Sequence, residues 1–381
     1  MVQNIFGQVC PMILDFINML TEAADPRTPH PEDAIFNGSA AAAQQVAGLK
    51  AVIANPNNLT IKWDGKPALI FGRDTDGQLA VMDKYMWDAG SMAKSVQDWQ
   101  TYDANKASGN LRGSLYDLLA AIWPGLNAAV QGPGFYWGDL LYAGQLQPVQ
   151  GKFVFKPNLV EYRIPVGSPL GKQIAGTAGG VVVHQYYSEP GATPVQWNGQ
   201  GLATVPGGVA IISPTAGNRF TLKTPVQQER AADAALQKYG AAVDQLLSTV
   251  PQSARDRIKT YFNKFITGQT REALPDWLAA NVSQKQYQAL AGDDQTGTLF
   301  AQDQQGQIVE SPGYTGLKAI WNSIYAFKQS LAKQLAPQVQ GIEEYVNNQP
   351  AGEGFVFPTP SGLVKIVDRE VFSAANFAKN G

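Results

Sequence analysis

Leu59-Thr60-Ile61-Lys62-Trp63-Asp64-Gly65-Lys66-Pro67-Ala68-Leu69-Ile70-Phe71-Gly72-Arg73 is the stretch on which the reading of this chain turns. Apolar and β-branched residues on either side of a polar break predict a strand over 59–63, a tight turn, and a second strand over 68–72. A lysine at the end of a buried strand, just before a turn, presents its amine at the strand edge, where it can act as a nucleophile. Glycine after Asp64 lets the backbone turn away where a side chain would obstruct. The alternative reading of Lys62 is a surface lysine at a strand-to-turn junction.

Outward from this stretch the texture changes three times. Residues 1–50 read as a helical lead-in, with Ile13, Leu14, Phe16, Ile17, Met19 and Leu20 on one stripe and Ala40 to Leu49 forming a second helix. Residues 51–225 are short β-rich runs punctuated by glycine: Leu79 to Met82 after a hairpin turn at Asp74 to Gly77, Gly134 to Leu141, Phe153 to Phe155, Val181 to Tyr187, Val209 to Ser213 and Phe220 to Lys223. A helix over Tyr116 to Ile122 is expected to end at Pro124 and Gly125. Residues 226–350 turn Gln- and Ala-rich and read as a helical insertion, with helices over 227–250, 254–266, 284–290 and 317–335. In the last of these, Leu317, Ile320, Trp321, Ile324, Tyr325, Leu331 and Leu335 form the apolar stripe, with Lys318, Lys328 and Lys333 mostly outside it. Residues 351–381 return to strand, Gly354 to Phe357 and Leu363 to Val367, across the turn Pro358-Thr359-Pro360-Ser361-Gly362.

With 381 residues and 44% hydrophobic content the chain can bury a core without staples. A formal charge of -2 leaves any nucleic-acid surface to a local patch. Cys10 is the single cysteine, which excludes an intramolecular disulfide framework. With only His30 and His184 beside it, a structural zinc cluster is not expected. The start lacks the basic residues of a signal peptide and no stretch approaches a membrane span, so a cytoplasmic protein is expected, in a host cell if viral. Neither GxxxxGK[ST] nor a GxGxxG opening a helix occurs, so a P-loop ATPase or a Rossmann dehydrogenase has no support.

Four further segments follow Lys62-Trp63-Asp64-Gly65 in order: Phe135-Tyr136-Trp137-Gly138-Asp139-Leu140-Leu141-Tyr142, Gly180-Val181-Val182-Val183-His184-Gln185-Tyr186-Tyr187, Glu353-Gly354-Phe355-Val356-Phe357 and Leu363-Val364-Lys365-Ile366-Val367. Together the five resemble the motif series of the covalent nucleotidyltransferases, and within them the ATP-dependent polynucleotide ligases, compact phage enzymes above all. The resemblance covers about 59–223 and 353–372. It implies an α+β fold, the ligase-type adenylation domain of two antiparallel sheets flanked by helices, here with a large helical insertion and without the oligonucleotide-binding barrel that usually follows.

By that resemblance Lys62 is the nucleophile that takes AMP from ATP, and Lys365 stabilises the phosphate charge. Asp139 and Glu353 hold Mg2+ or ribose, and Thr60, Ile61, Trp63, Asp64, Gly65, Arg73, His184 and Tyr186 surround the nucleotide. Attack requires the free amine, which a nearby metal or lysine favours. The implied reaction is sealing of 5′-phosphate/3′-hydroxyl nicks in duplex DNA by a monomer. RNA ligation by the same steps, or a non-catalytic nucleic-acid-binding relative, are the alternatives. Pro67 stands where ligases often have arginine, Pro358 replaces a basic residue, and Val367 replaces a second lysine. From the residues alone, His184 and Tyr186 read equally as packed core, Arg73 as a strand-end charge, and Arg255, Arg257, Lys259 and Lys264 as a solvated helical face.

Overall fold

The computed structural model describes residues 30–106, 111–291, 298–352, 354–359 and 362–369. In chain order the elements are a 3-10 turn (Pro31–Asn37), α1 (Ser39–Ala54), β1 (Thr60–Ile61), β2 (Ala68–Arg73), β3 (Leu79–Met82), α2 (Lys84–Asp88), α3 (Val96–Ala104), α4 (Gly113–Ala129), β4 (Gly134–Ala143), β5 (Lys152–Phe155), β6 (Glu161–Pro165), α5 (Pro169–Ile174), β7 (Gly179–Tyr187), β8 (Val195–Gln196) and β9 (Val209–Ile212). There follow α6 (Val226–Thr249), α7 (Gln252–Ile266), α8 (Leu274–Asn281), α9 (Gln284–Leu290), β10 (Phe300–Gln302), β11 (Ile308–Glu310), α10 (Pro312–Leu335), β12 (Glu343–Val346), β13 (Gln349–Pro350), β14 (Phe355–Thr359) and β15 (Gly362–Ile366). The expected helix at Ile13 to Leu20 lies outside the described residues.

Two compact units divide the chain. One holds residues 60–219 and 339–352, the other 30–59, 220–338 and 354–369. In the first, a six-stranded sheet runs β3-β2-β4-β7-β8, antiparallel throughout, with β9 added parallel to β7. A second, antiparallel sheet runs β13-β12-β6-β5. Thus the stretch read as a helical insertion also carries strands. Glu343-Glu344-Tyr345 escaped a hydrophobic-pattern reading because its strand character is set by pairing with β6, whose Arg163 guanidinium lies 3.9 Å from the Tyr345 ring centroid, while the Glu343 carboxylate accepts from Lys152 of β5 at 2.7 Å.

The helix over α4 does not stop at Pro124. It continues to Ala129 and buries Gly125, Leu126 and Ala129. A Cβ on Gly125 would lie 2.7 Å from the Val209 side chain, so this glycine lets the helix settle onto β9. That burial outweighs the roughly 3 kcal/mol an interior proline costs a helix.

In the second unit α6 and α10 pack lengthwise, brought close by Gly313 and Gly316, where added Cβ atoms would sit 2.7 Å from Leu246 and 2.8 Å from Tyr239. Residues 220–223 are not a strand. The side-chain amides of Gln334 on α10 and Gln338 in the 3-10 turn that follows it bond the backbone instead. Thr221 N–H donates to Gln338 Oε1 at 2.9 Å while Gln338 Nε2 donates to the Thr221 carbonyl at 2.8 Å, and Lys223 and Gln334 repeat the exchange at 2.8 and 3.0 Å. Glutamines here take the part of a neighbouring strand, satisfying an extended backbone without a ladder.

Lys328, expected on the solvent side, is wholly buried. Its ammonium donates to Glu32 Oε1 at 2.5 Å, and Arg369 bridges Glu32 at 3.0 Å and Asp33 at 2.9 Å. Trp321 Nε1 also donates to Asp33, and Lys259 approaches it at 3.7 Å. Burial pushes the Glu32 carboxyl up, but the Lys328 and Arg369 charges together hold it below the usual carboxylate value. Burial, then the Arg369 and Lys328 charges, pushes His30 well below the usual histidine value. Both groups therefore have folded pKa values below their unfolded ones, so the stability they contribute is present at neutral pH and lost on acidification. Loss begins as the pH falls through the ordinary histidine value of 6.5 and deepens below the ordinary glutamate value of 4.5. The melting temperature should fall between pH 7 and 5, with the first phase flattened in His30→Gln; a melting temperature constant over that range would contradict the assignment.

Candidate functional site

The Lys62 segment is fixed residue by residue within the first unit. Pro214, just after β9, offers one carbonyl to two donors, Ile61 N–H at 3.0 Å and Trp63 Nε1 at 3.1 Å. Trp63 is buried, its ring centroid 5.0 Å from that of Tyr162 on β6. Tyr162 in turn stacks on Phe155, and Phe155 meets Tyr142 of β4, an aromatic chain from one sheet to the other. The Asp64 carboxylate accepts from Asn158 Nδ2 at 2.8 Å and from the Leu159 and Val160 amides at 2.5 and 2.9 Å, while its own N–H donates to Tyr162 Oη at 2.6 Å. So Asp64 clasps the 158–160 loop, and Trp63 and Ile61 are packing residues. Ile61 and Trp63 are buried, and half-buried Asp64 has both carboxylate oxygens engaged by that loop.

Past Asp64 the segment lies on β4. Lys66 N–H donates to the Leu140 carbonyl at 2.8 Å, and Leu140 N–H to the Pro67 carbonyl at 3.0 Å. A Cβ on Gly65 would fall 2.3 Å from Asp139 Cβ. Only glycine fits this approach, which seats the Lys62 segment against Asp139. Gly65→Ala should cost about 1–3 kcal/mol in unfolding free energy through overpacking, read by urea denaturation; an unchanged midpoint would mean the loop stands off β4.

Asp139 Oδ2 lies 3.0 Å from His184 Nε2. The pair exists because β7 bulges there. Gly138 pairs with Val183 and Trp137 with Gln185, leaving His184 as the extra residue and turning it to the Asp139 side. The same bulge breaks the two-residue alternation, so Tyr186, expected on the face of His184, pairs with Tyr136 and packs its ring 5.3 Å from it. Arg73 is also elsewhere. It stands five residues along β2 from Ala68, the partner of Asp139, about 17 Å away at strand rise. There it donates to the Gly77, Asn127 and Val130 carbonyls, tying the hairpin turn to the end of α4.

Half-buried Lys62 and Thr60 flank Ile61 in this segment. Lys365 lies on β15 of the second unit, opposite Val356, and its charge adds to the lowering of His30. Glu353 lies outside the described residues. Among the described residues no three His, Cys, Asp or Glu side chains converge to hold a metal ion. Asp139 alone, with one oxygen turned to His184, suits Mg2+, which takes one or two carboxylates and fills its shell with water and phosphate oxygens.

The basic helix face on α7 is largely engaged internally. Arg255 donates to the Val250 and Leu247 carbonyls, Lys259 approaches Asp33, and Lys264 lies over Trp277. Sequence reading missed Asn158, Tyr162, Gln173, Trp197 and Pro214, none of which carries a local motif.

Antiparallel sheets with helices packed around them make this a mixed α+β protein. Among the described residues no helix is long and apolar enough to cross a membrane. The chain belongs to the Family of unknown function (DUF6267), whose profile matches residues 28–380. No curated protein and no solved structure matches it.

Proposed function

We propose that the chain is a covalent nucleotidyltransferase of the ATP-dependent polynucleotide ligase type, with Lys62 as the residue that carries AMP. The observation that supports this reading is the seating of Gly65, which closes the Lys62-Trp63-Asp64-Gly65 motif, and of Lys66 on β4 against Asp139, whose carboxylate meets His184.

In the proposed step the Lys62 Nζ lone pair attacks the α-phosphorus of ATP. A nitrogen–phosphorus bond forms, the bond to the bridging oxygen breaks, and pyrophosphate leaves with that electron pair while the amine gives up a proton to solvent. Mg2+, when bound, would neutralise phosphate charge. Asp139 would hold it or the ribose, with the His184 contact fixing the carboxylate. AMP would then pass to a 5′-phosphate, and a 3′-hydroxyl would displace it. Nicked duplex DNA is the proposed substrate, and the ligase-type adenylation fold is part of the same proposal.

The test is incubation with Mg2+ and α-labelled ATP, or separately GTP, followed by denaturing electrophoresis. Covalent label from ATP is expected. No label from either, in folded protein whose mass excludes prior adenylation, would overturn the reading.

A further inference from the structure

A cleft of about 480 Å3 opens in the first unit beside the Lys62 segment without containing any residue of it. We propose that this cleft is a nucleobase-binding site, which goes beyond the nucleotidyltransferase reading and does not depend on Lys62 chemistry. Its volume falls in the range of small-molecule sites. None of its twelve lining residues is charged, so it offers neither a cation for phosphate nor a carboxylate for an amine or metal. What it offers is a half-buried indole and neutral amides and hydroxyls, the chemistry of a flat, uncharged, hydrogen-bonding ring.

The lining is held in place. Gln173 Nε2 donates to the Ile211 carbonyl at 2.6 Å and to Thr204 Oγ1 at 3.1 Å, which leaves Gln173 Oε1 as an acceptor. Trp197 Nε1 is tied to the Gln200 carbonyl at 2.7 Å and the ring also packs against the core, so it is oriented and its remaining exposed part is what it offers a ligand. Asn198 Oδ1 accepts from Gln200 N–H at 3.0 Å, and its Nδ2 has no hydrogen-bond partner among the described residues. An acceptor and an amide donor near an indole match a base that stacks while presenting a donor–acceptor edge.

Hydrogen bonds join this cleft to His184 and to the residues on either side of Lys62. Trp197 N–H donates to the His184 carbonyl at 3.0 Å, and the lining residue Pro214 supplies the carbonyl that holds Ile61 and Trp63. A base in the cleft would bear on both flanks of Lys62. The base belongs either to a free nucleotide or to a nucleic-acid strand, and the ligand series separates these sources.

The experiment is calorimetric titration of the full chain with adenosine, guanosine, cytidine and uridine, then ATP, a short single-stranded oligonucleotide and tripolyphosphate. It is run on wild type, Lys62→Ala, Trp197→Ala, Gln173→Ala and Asn198→Ala. Expected are nucleoside binding retained in Lys62→Ala, no competition by tripolyphosphate, and weakening by roughly tenfold or more in Trp197→Ala, as loss of one base stack implies. Gln173→Ala and Asn198→Ala should weaken binding in the same direction, and they decide the matter should Trp197→Ala fail to fold. Weakening of nucleosides that extends to ATP but not to the oligonucleotide assigns the base to a free nucleotide, and weakening that extends to the oligonucleotide but not to ATP assigns it to a strand. No nucleoside binding at millimolar concentration, or binding that these substitutions leave within twofold, would overturn the site.

Discussion

Lys62→Ala is expected to abolish covalent transfer of AMP while leaving the protein folded. The amine is the sole atom asked to form the new bond, so its removal leaves no route at reduced rate, only background labelling. Lys62→Arg should be equally dead. It keeps the positive charge and most of the length, but a guanidinium stays protonated and cannot attack. Equal loss in both variants separates a nucleophile from a lysine that merely attracts phosphate, for which arginine would retain activity. Denaturing gels and intact mass read the result, with circular dichroism showing that both variants are folded. Label persisting in Lys62→Ala would move the chemistry elsewhere, the exposed Lys66 being the first residue to examine.

Lys328→Ala should produce the largest loss of stability among single substitutions in the second unit, about 3–5 kcal/mol. Deleting the ammonium leaves Glu32 buried with Arg369 as its remaining cation and with Oε2 already lacking a partner. Against a total stability of about 5–15 kcal/mol such a loss is a large fraction. The double variant Glu32→Gln/Lys328→Met should recover much of it, because a buried pair is costly chiefly when halved. Urea midpoints at constant slope are the measurement. A Lys328→Ala cost below about 1 kcal/mol would mean that water reaches Glu32 and that the cluster is not closed.

The strand pair β2 and β3 with its turn, and the helices α1, α6, α7, α9 and α10, were legible because a period of two or of 3.6 is written directly into the order of apolar residues. Gly65 was legible as a needed glycine, although the reason lay 74 residues away, in Asp139. Tyr186 and Arg73 were read as nucleotide contacts and are not beside the Lys62 segment. A β-bulge has no compositional signature, and an arginine that caps carbonyls looks in sequence like one that waits for phosphate.

Periodicity, turn residues and the Lys-x-Asp-Gly order thus settled that the chain mixes sheets and helices and which lysine to examine, since these follow from backbone geometry over a few residues. Tertiary structure alone decided that Lys328 is a core residue, that glutamines stand in for a strand at 221–223, that α4 runs through Pro124, and that His184 rather than Tyr186 meets Asp139. Each of these depends on a partner distant in sequence, whose burial or hydrogen bond outweighs the local preference.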